Sequence, residues 1–587
     1  MNDSLNCDAR IAYFSMEIAL APNLPTYSGG LGVLAGDTVR TAADLGIPMV
    51  AVCLLHRLGY FRQTIDGDGH QHEIPDPWDV DSHLQRLPAR VSVPLESRIV
   101  EIAASILQVH GVGGHRVPVI FLDTDLPAND AADRRLTDRL YGGDEVYRLS
   151  QEIILGIGGV RMLRALGFDR VQRFHMNEGH AALLTIELLD EAAQSNGRNT
   201  IGTREIDAVR SQCVFTTHTP VQAGHDRFPL ELVYRLMGQR RHLLDTKDVL
   251  AVETYQRVLR IEGVFTSPAE VASQGAVLNM TYLALNFSRY VNGVARKHGE
   301  LSELMFSGYR VDAITNGVHA ATWVCPPMAA LFDEYIPGWQ RDNFSLRYAL
   351  AIPTGRIVQT HRKAKSMLLD EIETRTDTRL DPDVLTIGFA RRMTSYKRPD
   401  LLFSDLQRLR TIAQSHGQIQ VVFAGKAHPQ DGQGKALIHA VHAAARALGD
   451  DLPIVFVPDY DVTLAKLFVS GCDLWLNTPR PPNEASGTSG MKAAMNGVPS
   501  LSTLDGWWIE GHLEEVTGWA IATPHADGND DGPEAENLYD KLENCVIPCF
   551  YRDPDRFALM MRHCIALNGA FFNSQRMLHE YVSKAYA

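Results

Sequence analysis

The sequence predicts an α/β protein built from two doubly wound domains. Two observations predict it. Short apolar runs rich in β-branched residues recur with helix-like stretches between them, in two series along the chain. Clusters of polar residues follow directly after many of these runs. Continuous apolar runs without alternation suit strands buried on both faces, and strands alternating with helices suit parallel sheets. Ligands of such sheets bind outside the carboxyl ends of the strands.

In the first series the expected strands are IAYFSME (11–17), MVAVCLL (49–55), VPVIFLDTD (117–125), RFHMN (173–177), QCVFTTHT (212–219) and VDAITNG (311–317). In the second they are VLTIGFA (384–390), IQVVFAGK (419–426), PIVFVPDY (453–460), CDLWLN (472–477) and PSLSTLDG (499–506). The break falls between 316 and 384, giving domains over 1–316 and 317–587, too long a chain for one core. The stretch ADGNDDGPEAEN (526–537) reads as an exposed loop.

Composition narrows the function. The chain has 56 Lys and Arg against 70 Asp and Glu, a net charge of −14. That argues against nucleic-acid and anionic-membrane binding, but not against a small basic pocket. No run reaches membrane-spanning length and no basic leader precedes an apolar run, so the expectation is a cytoplasmic protein. The eight cysteines are scattered without a C-x-x-C pair and read as buried thiols. No metal is expected: His175, Glu178 and His180 have H-x-x-E-x-H spacing, which matches no zinc motif.

Four motifs carry chemistry. In YSGGLGVLAGD, Gly30, Gly32 and Ala35 fit G-x-G-x-x-A, but a proline-containing loop precedes them and no acid follows on the next strand. NAD binding is therefore rejected. What remains is Gly29, Gly30 and Leu31 opening a helix, where N–H groups meet an anion or simply form a tight turn. In FARRMTSYKRPD, Arg391, Arg392, Lys397 and Arg398 crowd a strand end, as a phosphate site or a solvated basic face. In NEGH and THTP, Glu178, His180 and His218 are ligands at strand ends or local caps. Trp507 and Trp508 suit core packing better than sugar stacking.

The fourth motif is NEASGTSGMKAAMNG (483–497). Its spacing and Ala493 exclude a Walker loop. Gly487, Thr488, Ser489 and Gly490 can still cradle a phosphate at a helix start. Lys492 follows among Met and Ala side chains, where desolvation favours a neutral amine able to attack an aldehyde. A phosphate nest beside such a lysine suits pyridoxal phosphate; a surface lysine on a Gly-capped helix is the alternative.

Together EASGTSGMKAAMNG, YSGGLGVLAGD, FARRMTSYKRPDLL, AGKAHP and TNGVHAATW resemble the α-glucan phosphorylases, in the family's order from about residue 11 to about 510. The resemblance implies two Rossmann-like domains facing a central cleft, the GT-B arrangement, with the last helix packing back on the first domain. It implies pyridoxal 5′-phosphate on Lys492. It also implies conversion of α-1,4-glucan and orthophosphate to α-glucose 1-phosphate with retention. In that mechanism the cofactor phosphate sits against the substrate phosphate, which protonates the leaving oxygen and attacks from the same face. No glycosidase carboxylate pair is expected. Two phosphates in contact repel, which would explain a basic cluster in an acidic chain.

Residue by residue, the resemblance makes Arg392 and Lys397 ligands of the substrate phosphate, with Gly30 giving an N–H. Arg391 takes the place of a lysine near the cofactor phosphate. Thr488, Ser489 and Gly490 match the loop holding that phosphate; Tyr460 and Trp323 line the cofactor. His218, Asn316, Glu484, Ser486 and Gly487 match the glucose pocket. The chain departs from the family at Asp461, where animal-type enzymes carry arginine, and at Thr394, where they carry histidine. NEGH replaces NDTH, and LYGGD is a shortened gate segment, so control by effectors or phosphorylation is not expected. A homodimer is implied. The rival readings are a GT-B glucan synthase using a nucleotide sugar and a non-catalytic glucan-binding relative.

Overall fold

The computed structural model describes residues 7–195, 197, 201–220, 225–238, 277–522 and 530–587. Two large sheets organise it. The first has nine strands, in the order Asp312–Ala313, Tyr290–Gly293, Cys213–Thr216, Arg173–Asn177, Ile11–Ser15, Met49–Leu54, Arg116–Asp123, Arg98–His110 and Gln85–Leu95. Its central strands are parallel, with Tyr13 opposite His175 and Ala51 in register. Strand Ile11–Ser15 is buried along its whole length, as a strand covered on both faces must be. The second sheet has six parallel strands, in the order Ile454–Val457, Ile419–Ala424, Leu385–Ala390, Leu474–Asn477, Ser500–Thr503 and Gly518–Ile521.

Each expected strand is present, and four others join them. Gln85–Leu95 is the antiparallel edge strand, half-exposed and alternating, and Arg98–His110 beside it is buried through Ile102–Ile106 but more exposed toward both ends. Tyr290–Gly293 and Gly518–Ile521 are four-residue strands. One expectation is corrected. Of 526–537, residues 526–529 lie outside the described part, but Gly532–Lys541 is a helix and not a loop. Pro533 suits its first turn, and Ala535 and Leu538 bury its inner face.

From Val318 onward the chain contributes to the core around the second sheet. The closing helix Ser574–Tyr581 then returns to the first, with Met577, Leu578 and Tyr581 packed among Tyr13, Leu34 and Val39. Tyr581 Oη meets Thr216 Oγ1 and Asn292 Nδ2, each at 3.0 Å. His175 lies in this core, its Nδ1 2.7 Å from Tyr586 Oη. Among the described residues no cluster suits a metal ion, and no helix is long and apolar enough to cross a membrane. Trp507 and Trp508 are core side chains.

The two halves meet through buried polar contacts. Gln63 and Gln71, on the hairpin strands Arg62–Ile65 and Gln71–Ile74, donate to the carbonyls of Gly425 (2.8 Å) and Ala427 (2.9 Å). Tyr27 Oη accepts from Val462 N at 3.0 Å. These bonds bring together loops at the carboxyl ends of both sheets.

Candidate active site

Strand Leu385–Ala390 ends at the basic cluster, whose four cations separate into different tasks. Arg398 is a staple: it donates to the carbonyls of Thr478 (3.0 Å) and Pro479 (3.1 Å) and pairs with Asp531 and Glu534. Arg391 and Lys397 converge on one atom, Glu484 Oε2, at 2.7 and 2.6 Å. Arg392 is exposed, and among the described residues no carboxylate pairs with it. Its charge acts on Tyr60 and His428, from opposite halves of the chain.

The charges in this cluster are uneven. Burial pushes the Glu484 carboxyl up, but Arg391 and Lys397 outweigh burial and hold it below its usual range. Burial, with Arg391 adding, pushes the Lys397 amine down to about 8 against the pull of Glu484. Arg391 Nε and Nη1, Thr394 Oγ1 and Ser486 Oγ are buried without a hydrogen-bond partner. Unpaired buried donors are rare unless something else pairs them. Glu484 Oε1 stays uncommitted, since both cations use Oε2.

The loop after strand Leu474–Asn477 leads to Gly487, left-handed at φ 80°, and then to helix Thr488–Met495. Thr488 and Lys492 lie one turn apart, so the first N–H groups and the amine share a face. Lys492 is buried, and its Nζ lies 3.8 Å from the centroid of the Trp323 ring. Among the described residues its Nζ makes no hydrogen bond. Burial pushes the amine down to about 8, with the Asp37 charge opposing. Tyr460 is half-buried, with its hydroxyl 3.3 Å from the Ala390 carbonyl and the Arg391 charge acting on it.

Across the cleft, helix Gly30–Leu45 starts after Gly29 with no side-chain cap. A Cβ at Gly29 or Gly30 would meet nothing within 4 Å, so the loop opens into free space at the helix start. Glu17 fixes the loop from below, accepting from Ser28 N (2.6 Å), Gly29 N (3.1 Å) and Tyr141 Oη (2.9 Å).

The strand-end residues of the first sheet form their own cluster. Glu178 has φ 76°, and its carboxylate accepts from Gly179 N, His218 N and Thr219 Oγ1 at 2.8–3.0 Å. His218 Nε2 lies 2.7 Å from Asn177 Oδ1, and burial pushes the imidazole down to about 3, which keeps it neutral. His180 sits 3.3 Å from Asp226, apart from the basic cluster. Asn316 is buried, its carbonyl held by Arg576 and its Oδ1 unpartnered.

Sequence reasoning missed Glu17, Tyr141 and Asp505. Asp505 accepts from Glu484 N (2.8 Å) and Gly506 N (2.9 Å), and burial pushes its carboxyl up to about 7. It follows a strand directly, the one signal that could have marked it.

The carbohydrate phosphorylase profile matches residues 160–518. The chain belongs to the carbohydrate phosphorylase family. Over 98% of its length this carbohydrate phosphorylase is 40% identical to a glycogen phosphorylase of Mycobacterium tuberculosis, covering 70% of that protein. It is 36% identical to a maltodextrin phosphorylase of Thermococcus litoralis, covering 70% of it, and to a glycogen phosphorylase of Aquifex aeolicus, covering 86%.

Proposed function

We propose that this carbohydrate phosphorylase degrades α-1,4-glucan with orthophosphate, releasing α-glucose 1-phosphate with retention and a chain one glucose shorter. The observation that carries the reading is one buried amine beside one under-compensated basic cluster. Arg391 and Lys397 share the single carboxylate of Glu484, the neighbouring Arg392 has no carboxylate partner among the described residues, and buried donors of Arg391 are left unpaired. Such a site attracts phosphate.

Orthophosphate is held by Arg392, Lys397 and the N–H of Gly30, within a loop of Gly29, Gly30 and Leu31. Its P–OH proton passes to the glycosidic oxygen as that bond breaks. Its oxyanion then bonds to the anomeric carbon on the same face. Glu484 Oε1 accepts from a sugar hydroxyl, and His218, Asn316, Ser486 and Gly487 orient the others, with Glu178 and His180 supporting that side. Held cations cost no reorganisation when charge develops, which is where the rate gain arises.

The residues also fit pyridoxal 5′-phosphate. Lys492 offers an amine that burial makes easier to deprotonate, Thr488, Ser489 and Gly490 offer N–H groups, and Arg391 offers unpaired donors. Trp323 and Tyr460 wall the pocket. The chemistry gained when it is bound is a phosphate acid–base group beside the substrate phosphate. We place the glucan side in residues 1–316 and the phosphate side in 317–587, within a cytoplasmic homodimer.

The test is an absorbance spectrum of purified protein before and after borohydride, with Lys492→Ala in parallel and a glucose 1-phosphate assay on maltodextrin plus phosphate. A cofactor band lost in the variant, with phosphate-dependent release, is expected. Turnover of ADP-glucose without such a band would move the chain to a nucleotide-sugar synthase.

A further inference from the structure

Asp37 is a carboxylate on the helix Gly30–Leu45, almost wholly buried, and neither the substrate cluster nor a cap accounts for it. Its Oδ2 accepts from Trp323 Nε1 at 2.8 Å and from His319 N at 3.2 Å. Arg40 is a weaker partner: its Nη1 lies 3.4 Å from Asp37 Oδ1, while its Nη2 donates to the carbonyls of Ala19 (3.0 Å) and Leu20 (2.7 Å). The shortest partner of this buried charge is thus an indole N–H. A neutral acceptor would satisfy that N–H without the cost of burying a charge.

The indole it holds is the one under the Lys492 amine. Trp323 is fixed a second time from the helix that carries the lysine. Asn496 Nδ2 donates to the Trp323 carbonyl (2.9 Å) and to the Lys492 carbonyl (3.0 Å). One turn along, His319 Nε2 lies 2.7 Å from Asp44 Oδ2, so Asp37 and Asp44, seven residues apart on one helix face, grip the same segment. An N–H bond to a carboxylate pushes electron density into the indole, and an electron-rich face holds a cation better.

We propose that Asp37 is a positioning residue of the cofactor site: its carboxylate anchors the Trp323 indole, and the indole face holds the Lys492 amine where an aldehyde must reach it. This rests on the reading of pyridoxal phosphate as the cofactor. In the step it serves, the neutral amine's lone pair bonds to the aldehyde carbon, and the carbonyl oxygen leaves as water with both amine protons. Asp37 acts on this step twice. It fixes the approach of the nitrogen, and its charge favours the ammonium form that must first lose a proton. Asp37 is the charge among the described residues that acts on the amine. The surrounding Arg40, Lys466 and the His319–Asp44 pair act on Asp37 or on one another, and the neighbouring buried thiol belongs to Cys325, whose N donates to Asn496 Oδ1.

The experiment measures capture of pyridoxal phosphate by cofactor-stripped protein across pH. Borohydride trapping and peptide mass spectrometry report labelling at Lys492. Wild type should gain rate as pH rises through the amine's midpoint and then reach a plateau. Asp37→Asn keeps an acceptor but removes the charge, so its midpoint should fall by about one pH unit. Asp37→Ala removes the anchor as well, so its plateau rate should also fall, by roughly tenfold for a misplaced nucleophile. Trp323→Phe keeps an aromatic face but removes the N–H together with the pyrrole ring, so Asp37 loses its hold, and it should slow the plateau; it carries the test if Asp37→Ala does not fold. An unchanged midpoint in Asp37→Asn together with an unchanged plateau in Trp323→Phe overturns the proposal. Absence of labelling in wild type would instead overturn the cofactor reading itself.

Discussion

The two ends of one strand, Leu385–Ala390, carry buried charge arranged in opposite ways. At the amino end Asp473 accepts from Lys365 Nζ (2.6 Å), Thr386 N (2.8 Å) and His361 Nε2 (2.9 Å), and Lys365 also reaches the Val384 carbonyl (2.7 Å). At the carboxyl end Arg391 and Lys397 share a single oxygen of Glu484, and Arg391 Nε, Arg391 Nη1, Thr394 Oγ1 and Ser486 Oγ go unpaired. Both clusters are buried to a similar degree. In the first, both oxygens of Asp473 and the Lys365 amine are paired within the protein, His361 Nδ1 alone lacks a partner, and the cluster serves the fold. The second keeps donors that the fold leaves to a ligand, at the end of the sheet where ligands bind.

Breaking the closed cluster should cost the most. Asp473→Ala strands Lys365 and His361 in the core, a loss of about 3–5 kcal/mol. Urea unfolding should show it, while kcat per folded molecule stays unchanged. Burial pushes the Asp473 carboxyl up, but Lys365 and His361 hold it below its usual range. A depressed carboxylate stabilises at neutral pH, and the gain is lost as pH falls through its lowered value. The wild type should therefore lose stability on acidification in a way the variant does not. The open cluster should respond in the reverse sense. Arg392→Ala should lower kcat/KM for phosphate by about 10²–10³-fold, the usual loss for one transition-state donor, with the unfolding midpoint unmoved. A large stability change there would erase the distinction between the two ends.

How much of this could be read in the sequence follows from the physics of each part. Buried parallel strands such as Leu385–Ala390 are visible because both faces need apolar residues. The edge strand Gln85–Leu95 escaped because one face meets water and the pattern alternates, and Arg98–His110 because charged and polar residues flank its short buried stretch. Lys492 stood out through its glycine loop and apolar neighbours and Arg392 through its charge cluster, while Glu484 entered only through the family resemblance; their roles are proposals. Asp37 was not legible: its partner Trp323 lies 286 residues away, and nothing local separates it from any acid on a helix. The same holds for Arg398, which a charge count groups with Arg391 and Arg392 but which the fold spends on Thr478, Pro479 and Asp531.

A subtler variant sharpens the comparison through pH. Lys397 sits near 8 because burial and Arg391 lower it while Glu484 raises it. Glu484→Gln removes the raising charge, so the amine should lose its proton at a lower pH. Phosphate binding in wild type should weaken as pH rises through about 8. In Glu484→Gln the same decline should begin at a lower pH, read from KM for phosphate across pH. An unmoved profile would mean that Lys397 does not hold the phosphate.

The smallest effect belongs to Asp461, a residue at a strand's carboxyl end that chemistry does not need. Its side chain accepts from Leu464 N at 2.7 Å and caps helix Val462–Gly471. The cap satisfies a helix N–H that would otherwise lack a partner, and losing it costs about 1 kcal/mol. Asp461→Ala should therefore lower the unfolding midpoint slightly and leave kcat/KM for phosphate unchanged. Both clusters of the strand Leu385–Ala390 stay intact in this variant, so it measures what a purely local bond is worth beside them. A fall in kcat/KM beyond twofold would place Asp461 in the site, through its charge acting on Tyr460, and not merely in the helix.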